Sequence, residues 1–350
     1  MWRVLLLLCV AGGGQAEGVL RLYNWNNYIS ERTLARFEAQ CSCRVVQDYY
    51  SDNEEMLAKL AAGATGYDLI VPSGNAVQSL IRQHALRPLD KRLLPRLANL
   101  APEFMNQPFD PGNRYSVPYA YTLTLIGYNS EKIRELGLPV DSWAVVFEPR
   151  LLARIKGRIT VLDSQRELIA AALKYLGYSA NDQDEAHWMR ARDLIIRAKP
   201  YWAAFNASSY IKELAAGNIW LVQGYSSDIF QADQDARAAG RNFRIKASLP
   251  AEGAVIALDS MVLHNGGMRP DLAHRFIDFM LDGQNSAELT NLIGSGNPNL
   301  DALHYIEPEI AKNPALFPGP QQRVKLEMLT DMDRHRRRVL SRLWTEIKLR

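Results

Sequence analysis

Segments typical of β-strands alternate with segments typical of amphipathic helices along most of this chain. Residues 20–23 and 44–48 are predicted strands, and a helix capped by Ser30 is predicted between them. A second helix ends at Gly63, and residues 67–71 are predicted to form a third, buried strand. Because strands that alternate with helices build layers of helix on sheet, the chain is predicted to adopt an α/β fold.

The same alternation begins again after residue 121. Further strands are predicted at residues 123–128, 157–162, 219–223, 243–249 and 254–262. A second series in one chain of 350 residues predicts two lobes, each a mixed sheet flanked by helices, with a cleft between them. We expect residues 17–121 and 249–303 to form the first lobe, and residues 122–248 with the C-terminal helices of 304–350 to form the second.

The first sixteen residues have the order of a secretory signal peptide. Arg3 precedes an apolar run at residues 4–11, and small residues then lead to Ala16, where we expect cleavage. Lipid attachment at Cys9 is the less favoured alternative. No later stretch contains the roughly 20 apolar residues of a membrane span. The sequence therefore predicts a secreted protein of residues 17–350.

The charges of the chain are nearly balanced. Its 41 basic and 38 acidic residues give a formal net charge of +3, which argues against nucleic acid as a partner. The densest basic run, residues 334–338, precedes apolar residues at helical spacing. This pattern is more typical of the solvated face of a final helix than of a binding patch.

Cys41 and Cys43 are separated by a single residue. No further ligands at matched spacing accompany them, so no metal site is predicted. A bridge across one residue would be strained. The sequence leaves open an unconnected pair on one strand face and a labile disulfide.

The chain contains none of the motifs that mark common enzymes. H-E-x-x-H, G-x-S-x-G, the P-loop and a G-x-G-x-x-G after a strand are absent, and the six histidines are scattered. The stretch 224–228 resembles a nucleophile elbow but lacks its closing glycine. We therefore expect a protein that is not an enzyme and that uses no cofactor or metal.

Polar and aromatic side chains follow two predicted strands of the first lobe. The stretch "LYNWNNY" continues the first strand into Trp25, Asn26, Asn27 and Tyr28, and "VPSGN" follows the third strand with Ser73 and Asn75. Asparagine suits a turn because its side chain bonds the local backbone. Ligands gather at the carboxyl ends of strands in open α/β sheets, so these side chains are candidates to line the cleft.

Three carboxylates occupy comparable positions further along the chain. Glu167 begins a helix, where a capping box with Ser164 is the alternative. Asp228 follows a strand and Tyr225, and it could instead cap a helix that starts one residue later. Asp259 interrupts an apolar strand, where a lone carboxylate costs several kcal/mol unless a salt bridge or another partner satisfies it. Carboxylates and ring faces together favour a cationic ligand.

Ten short stretches occur in order between residues 20 and 348: "LYNWNNYIS", "GYDLIVPS", "NQPFDPGNRYSVPY", "IGYNS", "DSWAVVFEP", "ALKYLGYS", "AAFNASSYIKELAAGNI", "GYSSDIF", "EGAVIALDSM" and "IGSGNPN". Together they resemble the periplasmic polyamine-binding proteins of ABC importers, the spermidine- and putrescine-binding group. The resemblance implies a periplasmic-binding-protein fold of two lobes joined by crossover strands. It also implies a periplasmic monomer that binds a polyamine and delivers it to a membrane permease with a cytoplasmic ATPase.

The resemblance further implies roles for individual residues. Trp25 and Tyr28 correspond to the family's first-turn rings, and Ser73 and Asn75 fall at a second turn that contributes polar contacts. Glu167 and Asp228 correspond to acids that hold an amine, Asp259 to the other principal carboxylate, and Tyr225 to an aromatic residue that is often Trp.

Three positions depart from the family pattern. Asn27 replaces a frequent acid, Ala257 replaces an aromatic residue, and Ser295 replaces a ring. Loss of two rings predicts a wider cavity, and with it a cation bulkier or more polar than putrescine, or weaker polyamine binding. The alternatives are a different cationic amine or amino-acid derivative, or a ligand sensor for a membrane receptor, whereas three acids argue against an anion.

Overall fold

A computed structural model of the protein describes residues 18–350. The predicted signal peptide and Cys9 lie outside these residues. The strands are β1 (Val19–Trp25), β2 (Arg44–Tyr50), β3 (Leu69–Ile70), β4 (Leu86–Arg87), β5 (Ser116–Asn129), β6 (Ile159–Leu162), β7 (Ala204–Asn206), β8 (Leu221–Tyr225), β9 (Ile245–Ser248) and β10 (Ile256–His264).

The helices alternate with these strands over most of the chain. They are α1 (Glu31–Cys41), α2 (Asn53–Ala61), α3 (Gly74–Arg82), α4 (Ser130–Leu136), α5 (Ala144–Phe147), α6 (Pro149–Leu152), α7 (Gln165–Tyr175), α8 (Glu185–Ala198), α9 (Tyr210–Ala216), α10 (Ser226–Ala238), α11 (Pro270–Met280), α12 (Gly283–Ile293), α13 (Pro308–Ala311), α14 (Pro320–Arg323) and α15 (Arg334–Leu349). Single 3₁₀ turns lie at Lys91–Leu93, Pro95–Asn99, Pro102–Phe104, Ala153–Ile155, Lys199–Tyr201 and Asp301–His304. The predicted α/β architecture is confirmed.

One long strand connects the two halves of the sheet. The strand order is β2-β1-β3-β10-β5-β8-β6-β7, with β4 beside β10 and β9 beside β5. The first part of β5 pairs antiparallel with β10, and from Thr124 onward β5 pairs with β8 and β9. In the first half, β1 is parallel to β2 and β3, and in the second half β6 is parallel to β7 and β8. Each half is therefore a mixed sheet, as expected.

Helices cover both faces of the sheet and bury separate cores. In the first half, Phe37 and Phe276 belong to the core on one face, and Tyr23 and Met56 belong to the core on the other. The core of the second half is larger and includes the fully buried Trp143 and Trp188. Burial of apolar surface on both faces is the main stabilising term for such layers.

Local signals identified several helix boundaries correctly. The hydroxyl of Ser30 accepts a 3.0 Å hydrogen bond from the Thr33 N–H and caps α1, as predicted. The basic run begins α15, and the apolar residues that follow it include the buried Leu340 and Leu343, which confirms a final helix with a solvated basic face. Among residues 18–350, no helix combines the length and the apolar character needed to cross a membrane.

Cys41 and Cys43 form a disulfide, and their Cα atoms are 5.1 Å apart. Of the two alternatives left open by the sequence, the unconnected pair on one strand face is wrong, because Cys41 is the last residue of α1 and Cys43 precedes β2. Ser42 between them has a left-handed backbone conformation, with φ of 54°, and ends the helix. The turn at Ser42 brings the two cysteines together.

Candidate ligand-binding site

Asp259 lies at an irregularity between the two central strands. Asp259 pairs with Ala120 of β5, whereas the next residue, Ser260, pairs with Pro118, so Tyr119 is an extra residue on β5. Such a bulge bends a strand and redirects its side chains. The Asp259 residue is only 5% exposed. The sheet therefore carries a buried carboxylate at a point where its pairing changes.

Two hydroxyl groups hold the Asp259 carboxylate. Tyr28 Oη donates a 2.6 Å hydrogen bond to one carboxylate oxygen, and Ser73 Oγ donates a 2.6 Å bond to the other. Ser73 precedes α3, but its hydroxyl bonds Asp259 instead of capping the helix. The salt bridge considered from the sequence is thus replaced by neutral donors, which leaves the negative charge of the carboxylate unneutralised.

Burial raises the pKa of Asp259 to about 6, although the hydrogen bonds from Ser73 and Tyr28 partly oppose the shift. A carboxylate taken out of water loses hydration, and this loss disfavours its charged form. A cation placed against Asp259 would reverse the effect and favour ionisation. The environment of Asp259 is therefore suited to a positively charged ligand.

Aromatic rings surround this carboxylate. The ring centroids of Trp25 and Tyr28 are 6.4 Å apart, those of Trp25 and Tyr50 are 4.6 Å apart, and those of Tyr28 and Tyr119 are 5.9 Å apart. Tyr119 Oη donates a 3.0 Å hydrogen bond to the Tyr28 carbonyl. Sequence reasoning identified Trp25 and Tyr28 but missed Tyr50 and Tyr119. Tyr50 ends β2 directly opposite Trp25, so the same strand-end argument could have found it.

Glu167 belongs to a second group of acids, in the other half of the sheet. Glu167 is buried, and Thr124 Oγ1 donates a 2.7 Å hydrogen bond to its carboxylate. The Glu167 N–H donates a 3.4 Å bond to Ser164 Oγ, so Ser164 caps α7, but the Glu167 side chain bonds Thr124 instead of completing the capping box. Burial raises the pKa of Glu167, and the Thr124 hydrogen bond and the Arg166 charge partly offset this shift.

Asp228 lies in the first turn of α10, which begins at Ser226 with Tyr225 as its N-cap. The alternative in which Asp228 caps a helix is excluded, because β8 runs directly into a helix that starts two residues before Asp228. The hydroxyl of Tyr210 donates a short hydrogen bond to the Asp228 carboxylate and accepts a 3.3 Å bond from the Tyr225 N–H. Burial raises the pKa of Asp228, and the Tyr210 hydrogen bond partly offsets the shift.

The β5 strand runs past both groups of carboxylates. Ala120 of β5 is opposite Asp259, and Thr124, which bonds Glu167, is opposite Tyr225. Residues four positions apart lie on the same face of a strand, about 13 Å from each other. Between them Thr122 pairs with the half-buried Ala257. The two groups of acids therefore lie at opposite ends of a short floor formed by β5 and β10.

The remaining predicted residues occupy more varied positions. Asn26 and Asn27 are exposed, and Asn27 has a left-handed φ of 56°, as expected for an asparagine turn. Asn75 is exposed and lines a cavity of about 460 Å³ together with Phe104 and other residues. Ser295 is fully buried, and its hydroxyl lies 3.5 Å from that of Thr290 in α12. Ligand contacts by these four residues remain predictions.

The described residues offer no group of three or more His, Cys, Asp and Glu side chains arranged to hold a metal ion. Two sets of carboxylates, in which Asp259 and Glu167 are buried, and several rings at the junction of two α/β halves instead define the class of a solute-binding protein.

The chain belongs to the family of bacterial extracellular solute-binding proteins, whose pattern matches residues 33–318. It is 56% identical over 354 residues to a putrescine/cadaverine-binding protein of Pseudomonas aeruginosa, and the match covers 100% of both chains. It is 33% identical over 351 residues to the putrescine-binding periplasmic protein PotF of Escherichia coli, covering 98% of this chain and 95% of that one.

A solved structure confirms the two-lobed fold. The spermidine/putrescine ABC transporter substrate-binding protein PotD of Streptococcus pneumoniae matches with a TM-score of 0.85 and 27% identity, covering 95% of this chain and 99% of that chain. The family consists of binding proteins of transporters, so the expectation that this chain is not an enzyme is also confirmed.

Proposed function

We propose that this protein captures a polyamine of the putrescine and spermidine class between its two lobes and delivers it to an ABC permease with a cytoplasmic ATPase. The observation that carries the proposal is the set of three carboxylates, Asp259, Glu167 and Asp228, each hydrogen-bonded by a hydroxyl group. Ammonium groups are the complementary partners of such acids. The names of the relatives at 56% and 33% identity support a polyamine as the ligand.

Each end of the floor would bind one amino group. Asp259 would accept hydrogen bonds from one ammonium group, with the rings of Trp25 and Tyr28 against the methylene chain. Glu167 and Asp228 would hold the other ammonium group beside Tyr225. A charge-assisted hydrogen bond is about twice as strong as a neutral one, and a ring face adds roughly 0.5–2 kcal/mol. The separation of the two groups on β5 suits a cation that is charged at both ends.

We also propose the lobe boundaries expected from the sequence, with residues 17–121 and 249–303 in one lobe and residues 122–248 and 304–350 in the other. The change of pairing partner on β5 supports the first boundary, because Leu123 pairs with Ile256 and Thr124 with Tyr225. We further propose a periplasmic monomer, released after Ala16 without lipid attachment at Cys9, since the relative PotF is named as a periplasmic protein.

Calorimetric titration tests the function directly. The protein comprising residues 17–350 would be titrated with putrescine, cadaverine, spermidine and spermine, with Asp259→Asn as the control. We expect at least one polyamine to bind, and the variant to bind it about a hundredfold more weakly because it removes one partner of a buried charge pair. Binding of lysine or another cationic amine in place of every polyamine would favour the alternative ligand class. Retention of full affinity by the variant would contradict the proposed site.

A further inference from the structure

Three acids occur at the start of α2, and two of them have structural roles. Asp52 is the N-cap, and its carboxylate accepts a 2.7 Å hydrogen bond from the Glu55 N–H. The Glu55 carboxylate accepts a 2.8 Å hydrogen bond from the Ser51 N–H. These bonds resemble a capping box, except that the Glu55 carboxylate accepts the N–H of the residue before the N-cap. Glu54 lies between the two residues and takes no part in this arrangement.

The Glu54 carboxylate is available to a ligand. Glu54 is exposed, and within residues 18–350 its side chain forms no hydrogen bond or ion pair. Glu54 is therefore an uncommitted negative charge on the protein surface.

The neighbouring residue, Asn53, connects the start of α2 to the candidate site through a hydrogen bond. Asn53 Oδ1 accepts a 3.3 Å hydrogen bond from the Ser73 N–H, and the Ser73 hydroxyl bonds Asp259. The same segment leaves β2 at Tyr50, whose ring contacts Trp25. Glu54 is thus fixed at the edge of the first half of the site.

The charge of Glu54 also acts on Tyr225, which belongs to the second half of the sheet. Burial, followed by the negative charges of Glu167, Asp228 and Glu54, raises the pKa of the Tyr225 hydroxyl. Tyr225 ends β8 in the second half of the sheet, whereas Glu54 belongs to the first. Glu54 therefore lies near enough to Tyr225 for its charge to act between the two halves of the sheet.

The number of ammonium groups in a polyamine can be compared with the number of carboxylates that could bind them. One ammonium group can be met by Asp259, and a second by Glu167 and Asp228. A third ammonium group needs another carboxylate, and Glu54 is an exposed acid that has no bonded partner among residues 18–350. We propose that Glu54 binds the third amino group of a triamine and so sets the preference of the site between triamines and diamines. This inference rests on the proposed polyamine function.

The neighbouring acid provides a matched control. Glu54→Gln and Glu55→Gln remove the same charge at adjacent positions, and the side-chain amide oxygen introduced by Glu55→Gln can still accept the Ser51 N–H. Both variants and the wild-type protein would be titrated with spermidine and putrescine. We expect Glu54→Gln to weaken spermidine binding about five- to tenfold, the range between an exposed ion pair and a charged hydrogen bond. Putrescine binding should change less than twofold in either variant.

The outcomes separate this inference from the function on which it rests. The inference would be overturned if Glu54→Gln lost equal affinity for spermidine and putrescine, or if Glu54→Gln and Glu55→Gln lost equal affinity for spermidine. Either result would mean that Glu54 contributes only a general electrostatic effect. Putrescine binding by a wild-type protein that does not bind spermidine would also overturn it, while the polyamine function would stand. Failure of every amine to bind the wild-type protein would overturn both.

Discussion

The hydroxyl of Tyr28 lies 2.6 Å from a carboxylate oxygen of Asp259, although 231 positions separate the two residues in the sequence. This hydrogen bond joins the turn after β1 to β10, one of the two strands at the centre of the sheet. Together with the hydroxyl of Ser73, it fixes the orientation of the carboxylate. Such preorganisation reduces the ordering that binding would otherwise require.

Replacing Asp259 with Asn should stabilise the ligand-free protein at neutral pH. Because the folded-state pKa of Asp259 is about 6 and its ordinary value is 3.8, the unfolded chain ionises first. The free energy of unfolding therefore falls as pH rises between these values. The variant cannot ionise and should be more stable than the wild type by up to roughly 3 kcal/mol near neutral pH. Urea unfolding at about pH 4 and about pH 7.5 would measure the difference.

The stability difference should shrink to well under about 1 kcal/mol near pH 4, where Asp259 is protonated in the folded wild-type protein and only partly ionised in the unfolded chain, whose pKa has the ordinary value of 3.8. Glu167 and Asp228 titrate in both proteins, so their contributions cancel. A variant that is less stable than the wild type at neutral pH would show that the ionised Asp259 stabilises the folded protein. It would contradict the view that this carboxylate is kept for function at the expense of stability.

Polyamine affinity should fall as the pH is lowered from about 7 to about 5. Asp259 of the free protein becomes protonated through its pKa of about 6, and a cation must then displace that proton to bind. Below the pKa, the loss should approach about tenfold for each pH unit. Calorimetry in two buffers of different ionisation enthalpy should detect proton release near pH 6 and almost none near pH 8. An affinity that is constant over this range would contradict the assignment of Asp259.

Replacing Tyr210 with Phe should weaken ligand binding about three- to tenfold. The variant removes the hydroxyl that bonds Asp228 and accepts the Tyr225 N–H, so the pKa of Asp228 should rise further. Loss of a partner for a buried polar group costs about 1–3 kcal/mol. Tyr175→Phe is the matched control, because Tyr175 donates a 2.6 Å hydrogen bond to Glu148 without contacting a predicted site residue. Similar affinity losses in both variants would indicate a general effect on stability.

The two positions that lack the family's rings should respond differently to aromatic substitution. Ala257 is half-buried on the floor between the acids, and Ala257→Trp should raise polyamine affinity by about two- to thirtyfold through ring-face contacts. Ser295 is fully buried, so Ser295→Tyr should overpack the interior and cost about 1–3 kcal/mol of unfolding free energy. Titration and urea unfolding of each single variant would test this contrast. No gain from Ala257→Trp would refute the explanation of the missing ring.

Local sequence rules account for the layers and for part of the candidate site. The alternation of strands and helices predicted the α/β fold, and the cap at Ser30 marked the start of α1. Asp259 could be singled out because a carboxylate in an apolar strand needs a partner. Trp25 and Tyr28 were found because turn formation explains the asparagines at the end of β1 but not the aromatic rings between them.

Long-range pairing produced the features that the sequence did not reveal. Thr124 meets Glu167 only because β5 changes partners at that residue, and Tyr210 reaches Asp228 through the packing of α9 on α10. The bulge at Tyr119 depends on the pairing of β5 with β10. The start of α10 was misjudged because Ser226 accepts a 3.1 Å hydrogen bond from the Leu123 N–H, a contact 103 residues distant.

A crystal structure of the protein with putrescine would test the central claim most directly. We expect one amino nitrogen within about 3 Å of the Asp259 carboxylate and the other at a similar distance from Glu167 or Asp228. The methylene chain should lie against Trp25 and Tyr28. Putrescine bound elsewhere, such as in the cavity beside Asn75 and Phe104, with Asp259 still bonded only to Tyr28 and Ser73, would contradict the account.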